Sequence, residues 1–482
     1  MNPDTESDKD LHAGRIAEWS TTVAPERNAW IKRNEYYYRQ DYEYLRHLIS
    51  EGSRVLVLGC GTGRLLAELK PSVGVGIDIS AEMIAVARAD HPDLEFIEAD
   101  LQHPATLAGL TGEFDYVVIP DTLGFLYDCE TFMDQLAPVC ADHTRIVITY
   151  FSHLWEPLLT LAEALSLRMP HPSLNWLSMD DIVNSLEMSD FDRVHLERRL
   201  IVPFSLFGLG TLINRYIAPL PLIRQFCLRH YIVARLPRRT TARAKSTSIV
   251  IPCRNERGNI EPAVTRLPEF CPDIEIIFVE GNSQDGTWDE IQRVKAAYPD
   301  RNIVAIQQPG TGKGDAVRAG FEIATKDLLF ILDADLTVPP EDMPKFYNAL
   351  KSNKAEFVNG TRMIYPMDRQ AMRFLNYWAN RTFAVIFTYL LNQRYTDTLC
   401  GTKGLSRENY AKLANNRHYF GDFDPFGDFD LIFGAAKLDL KLREVPIRYR
   451  ERAYGSTQIS RFRHGVLLLR MVLFAYRKLK AI

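Results

Sequence analysis

Two aspartates one residue apart, Asp333 and Asp335, follow the apolar run Asp327–Leu332. Carboxylates so close together in a bend can bind one hard divalent cation, magnesium or manganese, together with the oxygens of a diphosphate. Far upstream, Gly59-Cys-Gly-Thr-Gly63 follows a different apolar run, Arg54–Leu58. Glycines there (Gly59, Gly61, Gly63) let the backbone approach a bound nucleoside. Asp78 ends the next run, Val73–Ile77, where a strand-tip carboxylate accepts both hydroxyls of a ribose. Asp100 follows Leu94–Glu98, in position to meet an adenine amino group, and Asp121 follows Phe114–Ile119.

The second half carries its own strand ends. Thr247–Glu256 breaks at Pro252 into Asn255 and Glu256, and Ile274–Val279 ends in Glu280. The polar turn 281–287, with Asp285, leads into a helix predicted over Trp288–Ala297. Lys313, in the turn Gly310–Gly314, and Arg452 with Ser456 are candidates to grip phosphate oxygens. Gly310–Gly314 is not expected to be a P-loop, since no strand is predicted at the right spacing before it and no Gly-Lys-Ser/Thr follows. Residues 421–430 are dense in carboxylates and aromatics. Asp428 or Asp430 can serve there as a general base, the loop can form an aromatic wall, or an aspartate can cap the helix predicted over Leu431–Lys437.

The elements behind these residues need two cores. At 482 residues, 46% hydrophobic and 24% charged, the chain is long enough for two globular domains. The opening, Met1–Asp10, is polar and acidic, unlike an export signal. Seven cysteines without a Cys-x-x-Cys pair argue against a zinc site or a disulfide framework and fit a cytoplasmic protein. A net charge of −4 speaks against a general nucleic-acid binder. The fold class is therefore α/β, with two domains: 1–236, a basic linker 237–246, and 247–482.

Over the first half, the glycine loop, Asp78, the step Glu98-Ala-Asp100 and the strand start Phe114-Asp115 resemble the class I methyltransferases that use S-adenosylmethionine. That resemblance implies a Rossmann-like doubly wound domain in which Gly59, Gly61, Gly63, Asp78, Asp100 and Asp121 surround the cofactor and the substrate edge. A dinucleotide dehydrogenase competes, but its third glycine would fall at Arg64. A hydroxyl methyl acceptor would need a base, and Asp121, Tyr150 and His153 are candidates. The other reading makes this domain a non-catalytic regulatory or recruiting module.

Over Thr247–Ile482, the pieces Ile251–Glu256, Asn282–Thr287, Lys313–Ala316, Asp333–Asp335, Gly360–Arg362, Asp397–Gly401 and Glu444–Ile447 resemble the inverting family 2 glycosyltransferases of the GT-A fold, in their dolichol-phosphate mannose synthase-like branch. The resemblance implies that Pro252, Asn255, Glu256, Glu280 and Asp285 line the base and ribose of a nucleotide-sugar donor, with Lys313 and Asp333 at the diphosphate. It also implies a metal at Asp333 and Asp335, with Asp335 the direct ligand. Glu280 stands where that family usually has aspartate, and Thr337 where the mannose synthases often have glutamine. The acceptor implied is a polyprenyl phosphate or a saccharide.

Three stretches bear on a membrane. Leu200–Lys245 alternates apolar runs with arginines, including Arg215, Arg224, Arg229 and Arg235, and holds no acid after Leu200. It reads either as a segment lying on a bilayer or as core helices followed by the linker. Arg373–Leu391 and Arg461–Lys480 are cationic and apolar, suited to the headgroup plane of an anionic leaflet or to packing on their own domain. The combined expectation is a bifunctional glycan-modifying enzyme of the cytoplasm, with peripheral contact at the inner face of the membrane. A soluble acceptor is the alternative.

Overall fold

The computed structural model describes residues 3–110, 112–172, 175–237, 244–363, 374–417, 429–447, 454 and 461–481. The chain divides into two compact units, Met1–Pro237 with Lys480–Ile482, and Arg238–Leu479.

The first unit is built on a seven-stranded sheet: β1 (Arg54–Leu58), β2 (Val73–Asp78), β3 (Glu95–Glu98), β4 (Phe114–Pro120), β5 (Cys140–Phe151), β6 (Asp192–Arg199) and β7 (Arg229–Arg235). Their order is β3-β2-β1-β4-β5-β7-β6. The first five strands run parallel, and β7 is antiparallel to both β5 and β6. Val55 to Leu58 are all buried, the continuous apolar run of a strand covered on both faces. The strand order reverses between β1 and β4. Ligands of open α/β sheets sit at such a switch point, outside the carboxyl ends of the strands.

Two helices precede this sheet, Pro3–Arg33 and Glu35–Leu48, where the sequence showed only an acidic opening. The first is tied to the helix Ala81–Asp90 through Thr21 to Glu82 and Asn28 to Asp90. The Leu200–Lys245 stretch also differs from both of its readings. Short helical turns run up to Phe226, and then the chain enters β7. Arg229 and Arg235 are wholly buried in that strand rather than presented as surface charge, because Asp41, Asp121 and Asp192 pair with them. Most of the expected linker lies outside the described residues.

The second unit has strands β8 (Thr247–Cys253), β9 (Ile274–Glu280), β10 (Asn302–Gln307), β11 (Leu328–Ile331), β12 (Phe357–Thr361), β13 (Lys403–Ser406) and β14 (Leu442–Pro446). Their order is β10-β9-β8-β11-β13-β12-β14. Strands β8 to β11 are parallel, β13 is antiparallel to β11 and β12, and β14 is parallel to β12. The reversal falls between β8 and β11, the strands that lead to Asn255 and to Asp333.

The Gly310–Gly314 turn differs from its expected setting. Strand β10 does precede it, and the helix Lys313–Ile323 follows, so the frame is strand, turn, helix. What separates it from a P-loop is sequence alone, since Gly314 follows Lys313.

The helices Phe374–Leu391 and Arg461–Ala475 place Phe387, Leu390, Leu468 and Met471 in one buried cluster. Val385, Leu469 and Leu473 of the same helices are exposed. Among the described residues, no helix is long and apolar enough to cross a membrane.

Candidate active sites

In the first unit a cavity of about 620 Å³ opens at the sheet's switch point. Gly59, Gly61, Asp78, Asp100 and Asp121 all line it. Gly61 has φ of +52°, and no heavy atom lies within 4 Å of the position its Cβ would take. The loop therefore leaves room for a ligand against its backbone. Asp78 fixes that loop: Oδ2 accepts from the Gly61 amide at 2.8 Å and Oδ1 from the Ser80 amide at 3.1 Å. Burial pushes its carboxyl pKa up, and the two amides oppose that shift. Asp100 Oδ1 accepts from the Gln102 amide at 2.9 Å. Gly63, at φ +75°, closes the loop before the helix Arg64–Glu68. Backbone and strand-tip carboxylates arranged in this way fit the sugar and base of a nucleoside.

Asp121 has a left-handed backbone, φ +57°, a conformation that costs energy and clusters at functional positions. Its Oδ1 accepts from Arg229 Nη1 at 2.5 Å. Arg229 also donates to Asp41 at 3.0 and 3.2 Å and to Thr149 at 2.8 Å, and Tyr231 donates to Asp41 at 2.5 Å. Burial raises the Asp121 pKa and Arg229 opposes it.

The N-terminal helix adds residues that no motif marked. Asn28 accepts from Thr62 of the glycine loop at 2.9 Å. Arg27 lines the cavity with its Nη1 3.6 Å from Met169 Sδ. Burial lowers the Arg27 pKa, but the neighbouring Tyr38, Tyr42, Asp121 and Asp78 carry it above its usual value, so the cation persists.

Among the three candidate bases, Tyr150 donates its hydroxyl to the Asn175 carbonyl, and His153 is exposed in the turn His153–Trp155. A histidine absent from the sequence reading, His171, does line the cavity. Its Nδ1 lies 3.1 Å from Glu163 Oε1, to which Arg168 Nη1 donates at 2.6 Å. The rings of Trp19 and Phe125 flank it, with centroids 5.6 and 6.1 Å away.

In the second unit the β11 end carries the charge. Asp333 Oδ1 pairs with Lys313 Nζ at 2.6 Å. Burial would raise the Asp333 pKa, but Lys313, with Lys403 and Arg362 behind it, holds the carboxyl below its usual value. A Cβ on Gly401 would overlap both Asp333 Oδ2 and Lys313 Nζ. Any side chain there would have to push the pair aside. Asp335 Oδ1 accepts from the Thr337 hydroxyl at 2.9 Å and from its amide at 3.2 Å. Among the described residues, no group of three or more His, Cys, Asp or Glu could hold a metal by itself. The donor set at Asp333 and Asp335 is hard oxygen, which suits magnesium or manganese if ligand oxygens complete the shell.

The neighbouring strand ends interlock. Pro252 pairs in register with Val279. Asn255, at φ +55°, accepts from the Gln284 amide at 2.9 Å, and Glu280 accepts from the Ser283 amide at 2.5 Å. Glu256 accepts from Asn259 at 2.7 Å, and Asp285 takes the Thr287 hydroxyl and amide together with the Arg257 amide. Asp397 is a buried clamp: Arg362 grips it with Nε at 2.6 Å and Nη2 at 2.7 Å, and Asn380 donates at 3.0 Å. Asp430 lies 3.8 Å from Arg318 and 3.6 Å from Arg417. Asp428 and Arg452 lie outside the described residues.

A family model described as "Glycosyl transferase family 2" matches residues 248–413, and one described as "Methyltransferase domain" matches residues 55–143. The chain is 36% identical, over 233 residues, to a dolichol-phosphate mannosyltransferase of Saccharomyces cerevisiae, covering 44% of this chain and 80% of that relative. The chain belongs to the family 2 glycosyltransferases. This glycosyltransferase carries a methyltransferase domain in its first unit, so both units are of enzyme classes. It is also 26% identical over 227 residues to the polyprenol monophosphomannose synthase of Mycolicibacterium smegmatis, covering 46% of this chain and 83% of that one. Among solved structures, the magnesium protoporphyrin IX methyltransferase of Synechocystis PCC 6803 with bound SAH is similar at a TM-score of 0.33 and 16% identity, covering 46% of this chain and 98% of that one.

Proposed function

We propose that the second unit transfers a sugar from a nucleotide-sugar to a polyprenyl phosphate, and that the first unit methylates a substrate with S-adenosylmethionine. The observation that carries the first part is the Lys313–Asp333 pair beside Gly401, at the end of the strand next to the one that leads to Asn255. The acceptor class is suggested by two relatives, a dolichol-phosphate mannosyltransferase and a polyprenol monophosphomannose synthase.

A divalent cation at Asp335 and Asp333 would stabilise charge on the departing nucleoside diphosphate. Lys313 adds a fixed positive charge beside Asp333. Pro252, Asn255, Glu256, Glu280 and Asp285 hold the base and ribose. A phosphate acceptor is already an anionic nucleophile, so no residue has to take a proton from it. Asp430, held between Arg318 and Arg417, is then a helix-end ion pair rather than a base. Arg452 remains a candidate phosphate grip.

In the first unit, Gly59, Gly61 and Gly63 give backbone access, Asp78 and Asp100 take the ribose and adenine, and Arg27 pairs with the amino-acid carboxylate. S-adenosylmethionine, when bound there, supplies an electrophilic methyl group. The domains in this reading are 1–236 and 247–482, joined by the basic linker 237–246. Exposed Val385, Leu469 and Leu473 are apolar side chains available for peripheral contact with the inner face of a membrane.

The test is sugar transfer from a panel of uridine and guanosine diphosphate sugars to a polyprenyl phosphate in anionic vesicles, with and without manganese. Manganese-dependent labelling of the lipid, lost in Asp335→Ala, is the expected result. Labelling only of a soluble acceptor would contradict it.

A further inference from the structure

The first unit's cavity extends well beyond the residues assigned to the cofactor. Its lining also includes a run of apolar side chains, Leu158, Leu161, Leu165, Leu167 and Phe204. Leu158, Leu161 and Leu165 recur at helical spacing along and just past the helix Glu156–Ala164, and all five wall residues are about half exposed or more. The cavity therefore opens outward through an apolar mouth. A polar solute gains nothing from such a wall, whereas each methylene of an alkyl or isoprenoid chain gains about 0.8 kcal/mol on burial.

Polar side chains line the same cavity. The Tyr37 hydroxyl is buried and hydrogen-bonds nothing among the described residues. His171 lines the same cavity, and its Nδ1 lies 3.1 Å from Glu163 Oε1. An ionised carboxylate only accepts, so Glu163 fixes the proton on Nδ1 and leaves the lone pair on Nε2. Burial, with Arg168 and Arg27 nearby, lowers the His171 pKa and outweighs Glu163, so the imidazole is neutral at pH 7. Glu163 itself is pulled below its usual value by His171 and Arg168 against the opposing effect of burial.

We propose that the methyl acceptor is a hydroxyl on an amphiphile whose long apolar chain lies along the Leu158–Phe204 wall, and that His171 Nε2 takes the hydroxyl proton. This rests on the methyltransferase reading given above. The acceptor oxygen bonds to the methyl carbon as the carbon–sulfur bond breaks, the bonding pair stays on sulfur as a neutral thioether, and the proton moves to Nε2. A glycosylated polyprenyl phosphate has both required parts, sugar hydroxyls and an isoprenoid chain, which places methylation after sugar transfer.

The experiment uses the full chain saturated with S-adenosylhomocysteine and titrated with octyl mannoside or methyl mannoside below micelle formation. We expect the octyl glycoside to bind at least about tenfold more tightly, as expected when several methylenes are buried, and Leu161→Asp to remove that difference without changing S-adenosylhomocysteine affinity. The His171 imidazole resonance, assigned by its loss in His171→Gln, should shift when the octyl glycoside binds. His171→Gln should lower methyl transfer to the octyl glycoside by about 10²–10⁴-fold. Equal affinity for the two glycosides, or a bound glycoside that leaves the His171 resonance unmoved, would overturn the inference while S-adenosylhomocysteine binding stands. Failure of S-adenosylhomocysteine to bind would instead overturn the methyltransferase reading, and this inference with it.

Discussion

Lys313 Nζ lies 2.6 Å from Asp333 Oδ1, in space that any side chain at residue 401 would enter. The residues come from different elements, the start of the helix Lys313–Ile323 and the end of β11, with Gly401 just before β13. Gly401→Ala should separate the pair. Loss of one preorganised charge partner at a developing anion costs about 10²–10³-fold in rate, and we expect a fall of that order in kcat/KM for sugar transfer. S-adenosylhomocysteine affinity of the same variant, measured by calorimetry, should be unchanged.

Asp78 both fixes the Gly61 amide and faces the cavity. Hydrogen bonds to a charged group contribute about 1.5–3 kcal/mol each, so Asp78→Ala should weaken S-adenosylhomocysteine binding by roughly 10–100-fold. Sugar transfer by the second unit should persist, and its loss would argue against independent sites.

Arg27 is assigned to a carboxylate rather than to the nucleoside. Arg27→Met should therefore weaken S-adenosylhomocysteine by about tenfold or more while leaving adenosine affinity within twofold. Competition titrations with the two ligands check this. Equal losses for both would move Arg27 to the base or ribose.

Asp397 links stability to pH. Burial would raise its pKa, but the Arg362 guanidinium and Asn380 hold it below the usual carboxylate value. A depressed folded pKa means that the stability it contributes is fully present above the unfolded value of about 3.9 and is lost as pH falls through the lower folded value. Asp397→Asn should flatten that acid limb in denaturation of the full chain. It should also cost about 3–5 kcal/mol at neutral pH, because it removes the fully buried charge that faces the Arg362 guanidinium.

The strand ends were legible because each motif is contiguous with the strand that places it. Val55–Leu58 leads into Gly59, and Leu328–Ile331 leads into Asp333, so the apolar run and the reactive residue arrive together. The Arg229 cluster was not legible: its partner Asp41 is 188 residues away, and nothing near Arg229 in sequence separates a buried cation from a surface one. Its apolar neighbours in β7 were a local hint that the arginine enters a strand. His171 acquires its meaning only from Glu163 across a chain reversal and from Trp19 on the N-terminal helix. Arg27 sits on a helix whose pattern is weak because its partners are spread over loop, strand and helix.

One chain is expected to hold two working nucleoside sites, and calorimetric titration of the purified protein is the decisive experiment. S-adenosylhomocysteine and, with manganese present, uridine or guanosine diphosphate should each bind with a stoichiometry near one, and neither should displace the other. Binding of the diphosphate alone would contradict the account and leave the first unit as a non-catalytic module.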